Sequence, residues 1–184
     1  MIFDKLYELK SFQRQYQAVL RISASEAIEN LEWNIVKADL TKIIDWNNLL
    51  GIVSVLSQSD SSDHLDAALR IAQTCLSEET VIEQKKASAV ILETLTNKPA
   101  LALAVQRGLI EAGYNSDIPL TLQLETCKIN FENSITIQHK VLPLNKFQKK
   151  VYATSIANST LSISAPTSAG KSFVLSQRLA QQQP

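Results

Sequence analysis

Apolar residues recur at helical spacing through most of the first 112 positions of this 184-residue chain, and that periodicity leaves room for little except packed helices. Phe3, Leu6, Tyr7, Phe12, Tyr16, Val19 and Leu20 predict one amphipathic helix over 2–21. Ser23-Ala24-Ser25-Glu26 has the form of a capping box, in which hydroxyl and carboxylate bond the first orphan N–H groups of a helix. It predicts a second helix to about Lys37. A third is expected over Trp46–Leu56, ending in the polar loop SQSDSSD, whose Ser and Asp side chains compete for local backbone groups. Asp63 is then expected to cap a fourth, with Leu65, Ala68, Leu69, Ala72, Cys75 and Leu76 in one stripe. A fifth runs from about Glu79 to Leu95 on Val81, Ile82, Val90 and Ile91, and a sixth from Pro99 to Gly113. Short connections between such helices favour antiparallel neighbours, so 63–112 predicts stacked helical hairpins or an irregular bundle.

Beyond that stretch the pattern changes. Leu120, Leu124, Cys127 and Phe131 fall at helical spacing, predicting a helix over 119–132, and 135–141 reads as a short extended piece ending at the boundary residue Pro143. Charge changes too. Residues 1–139 carry 12 Lys and Arg against 18 Asp and Glu, whereas 140–184 carry six cations and no acid. This asymmetry divides the chain into a helical region, 1–140, and a basic segment, 141–184, where anionic partners are to be sought. A hydrophobic share of 45% is too high for a disordered chain, and no apolar run is long enough to span a membrane. The start, MIFDKLYELK, predicts no signal peptide. Two cysteines and two histidines without metal spacing predict a reducing, cytoplasmic setting and no zinc site. Cys75 and Cys127 are expected in core stripes, His64 and His139 at the surface, and Trp33 and Trp46 as helix-packing anchors.

The chemistry lies in Ala165-Pro166-Thr167-Ser168-Ala169-Gly170-Lys171-Ser172, which fits a phosphate-binding loop with Ala in place of the first Gly. Leu161–Ser164 upstream is β-prone, and Ser172–Ala180 downstream has helical spacing on Phe173, Val174, Leu175 and Leu179. Small residues let backbone N–H groups approach phosphates closely, and Gly170 has the freest backbone. Lys171 brings a positive charge to the β- and γ-phosphates, the Ser172 hydroxyl offers a hard oxygen to Mg²⁺, and the helix start points its positive end at the anion. Twenty-three residues before Lys171, Gln148 follows Phe147 on the helix-like run KFQKKVYATSIA. A Gln amide donates to and accepts from the N6/N7 edge of adenine at once, with Phe147 placed to pack beside the base.

Together these residues resemble the opening of the first RecA-like domain of superfamily 2 helicases, the DEAD/DEAH-box group. Ala165–Ser172 looks like their motif I, in a form close to that of Ski-like members, and Phe147-Gln148 looks like their adenine-reading Q motif. The resemblance covers about 40 residues of the 184 and none of 1–140. It implies a mostly α chain: a helical accessory domain, 1–140, followed by the first strand–loop–helix of a truncated RecA-like α/β domain, 141–184. It further implies ATP and Mg²⁺ as cofactors, DNA or RNA as the partner of the full-length enzyme, and a protein partner for the helical domain. The family also uses an acidic box and arginines from a second RecA-like domain, whereas no Asp or Glu follows Glu132 here and Arg178 reads as a solvated surface charge. The chain alone is therefore expected to bind nucleotide without hydrolysing it, as a piece of a longer helicase or one completed by a second polypeptide. The competing expectation is a helical protein-interaction module with a vestigial loop.

Overall fold

The computed structural model describes residues 1–28, 40–137, 139–158, 160–163 and 171–182. Most of them are helical: α1 (Ile2–Tyr7), α2 (Lys10–Ile28), α3 (Trp46–Leu56), α4 (Ser62–Ser77), α5 (Ile82–Thr94), α6 (Lys98–Gln106), a 3₁₀ turn (Tyr114–Asp117), α7 (Leu120–Glu132), α8 (Lys146–Ala157) and α9 (Lys171–Gln182). Strands β1 (Ser134–Ile137) and β2 (Lys140–Pro143) form an antiparallel hairpin. The described helices include none long and apolar enough to cross a membrane. Two compact units result, residues 1–123 and 124–184.

The first unit departs from the expected helix map at three points, each for a physical reason. The single helix expected over 2–21 is two helices, broken at Glu8-Leu9. At 3.6 residues per turn, a continuous helix would put Phe3, Leu6 and Tyr7 about half a turn away from Phe12, Tyr16 and Val19. The break lets both sets face one core, and Gln13 Nε2 closes it by donating to the Tyr7 carbonyl at 2.6 Å. The capping box at Ser23 starts no helix, because α2 runs through it to Ile28 while Ser25 Oγ bonds back to the Ile22 carbonyl at 2.7 Å. The expected continuation to Lys37, with Trp33, lies outside the described residues. The sixth helix ends at Gln106, seven residues before Gly113, and is closed by Gly108 (φ +69°), where Gly108 N–H bonds the Val105 carbonyl and Leu109 N–H the Ala104 carbonyl in a Schellman arrangement.

Asp45 caps α3 by accepting from the Asn48 N–H at 3.2 Å, but Asp63 sits in the first turn of α4, whose N-cap is Ser61. The fifth helix begins later than expected, leaving Val81 57% exposed. On α4 the buried face is His64, Ala67, Ala68, Ile71, Ala72, Thr74, Cys75 and Leu76, with Leu65 and Leu69 half-buried at its margin. His64, expected at the surface, is 5% exposed: Ser59 Oγ lies 2.9 Å from its Nδ1 and the Tyr7 ring 4.9 Å from its centroid. Trp46 packs on the edge of this core. Contacts skip neighbours, with α1 against α3, α2 against α4, and α3 against both α4 and α5.

Burial first, then the Asp66 carboxylate, pushes the Tyr16 phenol up to about 12; burial and Glu93 push Tyr114 up as well. An unfolded tyrosine ionises near pH 10, so above that pH the fold holds these protons and the unfolded chain does not. Stability therefore falls as pH rises from about 10 to about 12, by about 1.4 kcal/mol per pH unit for each phenol. Urea midpoints measured at about pH 8 and about pH 11 check this; equal midpoints would contradict it.

The second unit has its own core of Ile137, Leu144, Val151, Tyr152 and Val174. The expected boundary at 140/141 falls inside it, because the hairpin supplies Ile137 and half-buried Ile135 and Leu142 to the same cluster as α8 and α9. The one extended piece expected over 135–141 is the two-stranded hairpin, pairing Ser134 with Pro143 and Ile137 with Lys140. Helix α7 forms over nearly the expected span, but its apolar stripe stays exposed: Phe131 is 84% accessible and Cys127, expected in a core, is also exposed.

Candidate nucleotide-binding site

Helix α8 is set by its first turn. Asn145 Oδ1 accepts from the Gln148 N–H at 2.8 Å, and Gln148 Oε1 accepts from the Asn145 N–H at 3.0 Å, a reciprocal capping box. Gln148 thus has a local structural role that its sequence context did not reveal. The cap uses only the carbonyl oxygen of its amide. Phe147 is half-buried against the second-unit core. Lys149 Nζ donates to the Glu132 carbonyl, tying α8 to the end of α7, so this lysine is committed within the fold.

The helix ends at Ala157, with Asn158 extended (φ −128°, ψ 143°) and its Nδ2 donating to the Thr154 carbonyl at 3.0 Å. The β-prone piece expected next does not become a strand over Leu161–Ile163. A strand exposes unpaired N–H and C=O groups unless another lies beside it, and the only described sheet is the distant-in-sequence β1–β2 pair. Of the expected loop, Ala165, Pro166, Thr167, Ser168, Ala169 and Gly170 lie outside the described residues, as do Ser159 and Ser164.

Lys171 is the first described residue of α9, and the helix anchors itself by burying Val174. Lys171 and Ser172 line an open groove of 810 Å³ between the last turn of α8 and the first turns of α9. Ile156, Leu161, Ile163 and Leu175 give it an apolar floor, and Ser155 and Asn158 a polar edge. The size suits a small organic ligand, and no acidic side chain is among the lining residues. Ser172 is exposed, with its carbonyl taken by Ser176 Oγ at 2.6 Å.

The groove does not include Phe147 or Gln148. Gln148 and Ser155 stand seven residues apart on one face of α8, about 10 Å along its axis, so the two expected recognition elements occupy different ends of one helix. No family model, curated protein or solved structure matches this chain. Two features of the groove escaped the sequence reading. Arg178, expected as a solvated surface charge, lines it, and so does the floor from α8. The i, i+4, i+7 spacing of Lys171, Leu175 and Arg178 was the available signal, but a helix face reveals nothing about what lies opposite.

The chemistry of the donor set fits a magnesium–triphosphate group. Mg²⁺ takes oxygen ligands, keeps several waters and uses substrate phosphates, so one hydroxyl from Ser172 suffices on the protein side. Among the described residues no group of three His, Cys, Asp or Glu side chains could hold a metal by itself.

Proposed function

We propose that residues 124–184 carry the phosphate-gripping part of an ATP-dependent superfamily 2 helicase or translocase, with residues 1–123 as its helical accessory scaffold. The observation that carries the reading is the coincidence of the AxxxxGKS sequence with a groove that has Lys171 and Ser172 at its rim and an apolar floor beside them. Lys171 would hold the β- and γ-phosphates, Ser172 would give an oxygen to Mg²⁺, and the backbone of Ala165–Gly170 would cradle the chain of phosphates. Bound Mg²⁺ supplies charge neutralisation at the phosphates. Nucleic acid, DNA or RNA, is the partner of the complete enzyme in this reading. The 184 residues bind ATP and do not turn it over in this reading, because no carboxylate is among the residues that line the groove to activate water.

Adenine selection by Phe147 and Gln148 belongs to the same reading and has a clean test. Removing the Gln148 side chain would also remove the half of the capping box that it gives to the Asn145 N–H, while Asn145 still caps α8 through the Gln148 N–H. Gln148→Glu keeps an oxygen that accepts from Asn145 and replaces the NH₂ donor that adenine N7 requires with a carboxylate oxygen; the added negative charge acts on ATP and GTP alike, so the ratio of the two affinities is the readout. Displacement of a fluorescent ATP analogue should show ATP ahead of GTP for the wild-type chain, and near-equal nucleotides for Gln148→Glu at unchanged melting temperature. An unchanged ATP-to-GTP ratio would remove the adenine role. Failure of any nucleotide to displace the analogue would remove the function.

A further inference from the structure

We propose that Arg178 is a second anion-holding residue of the groove and that it selects a chain of phosphates over a single one. The inference rests on the reading of Lys171 given above. Arg178 follows Lys171 by seven residues, which puts the two on one face of α9, about 10 Å apart along its axis, with Leu175 between them. All three line the groove. Arg178 is half-buried and, among the described residues, makes no hydrogen bond or ion pair, although an acid would satisfy it. No acid lines the groove, and none follows Glu132 in the sequence.

Ile156, Leu161, Ile163 and Leu175 line the groove beside both cations, and Ile156, Leu161 and Leu175 are themselves exposed, so an anion can reach Lys171 and Arg178 from solvent. An ammonium is a point charge that one phosphate satisfies, whereas a guanidinium presents a planar fork to a pair of oxygens. The two long side chains close part of the distance between their backbones. A monophosphate engages one of them, and a di- or triphosphate engages both.

Calorimetric titration of the full 184-residue chain with ATP, AMP and inorganic triphosphate tests the assignment, using the wild type, Arg178→Gln, Arg178→Lys and Lys171→Ala. Arg178→Gln should weaken ATP and inorganic triphosphate about tenfold and AMP less than about threefold, with an unchanged circular dichroism spectrum. Arg178→Lys, which keeps the charge and loses the fork, should fall between. Equal weakening of ATP and AMP, or no change in either, overturns the role of Arg178. ATP binding that depends on Lys171 and ignores Arg178 overturns this inference alone, and no ATP binding by the wild type overturns both readings.

Discussion

Replacing Phe12 with alanine destabilises residues 1–123 by about 3–5 kcal/mol, the range for emptying a buried aromatic site. Phe12 is fully buried and lies between two other rings, 5.8 Å from Tyr7 and 5.9 Å from Tyr16. It is the first core residue after the break at Glu8-Leu9, so it joins the apolar face of α1 to that of α2. The cavity left by its loss would border both helices, and the Tyr7 and Tyr16 rings would each lose a packed partner. Whole domains are stable by only about 5–15 kcal/mol, so the loss is a large share of the total. The second unit has a separate buried cluster and is expected to keep its own structure. Urea unfolding followed by circular dichroism checks this; a cost below about 1 kcal/mol would show that α1 and α2 do not share a core.

Lys171→Ala should weaken ATP binding about 10- to 100-fold without changing the fold. A hydrogen bond to a charged group contributes about 1.5–3 kcal/mol, and the partner here is a triphosphate with no other described cation closer in sequence than Arg178. The substitution leaves Val174, the buried anchor of α9, in place. Lys171→Arg should recover only part of the affinity, since a planar, fork-shaped guanidinium does not substitute for a compact ammonium. Raising the salt concentration should weaken the wild type more than Lys171→Ala, because one screened attraction has already been removed. Calorimetry with MgATP measures all three, and an affinity within twofold of wild type for Lys171→Ala would contradict the assigned role.

How much of this was legible in the sequence varies with the length scale of each interaction. Helices α3 and α8 follow directly from local pattern, and the helical stripe after Ser172 falls within the described part of α9. Errors arose where two local signals compete. The capping box at Ser23 is outvoted by the continuing stripe of Val19 and Ile22, both fully buried. Gly108 and Gly113 both adopt positive φ, and sequence could not rank them; the apolar Leu109 after Gly108, half-buried on the core, is the distinguishing partner. The hairpin was missed because its turn lacks glycine, with His139 taking φ +64° instead. At the site, Lys171 and Ser172 were legible from a motif, whereas Ile156, Leu161 and Arg178 join the groove only through packing between segments. The capping role of Gln148 needed Asn145, three residues earlier, to be recognised as an N-cap.

The most direct test of the central assignment is a residue-resolved one. An ¹⁵N-labelled 184-residue chain titrated with MgATP should show saturable amide shifts at Lys171, Ser172, Leu175 and Arg178, with residues 1–123 unmoved. Shifts confined to residues outside the groove, or a spectrum unchanged at saturating nucleotide, would contradict it.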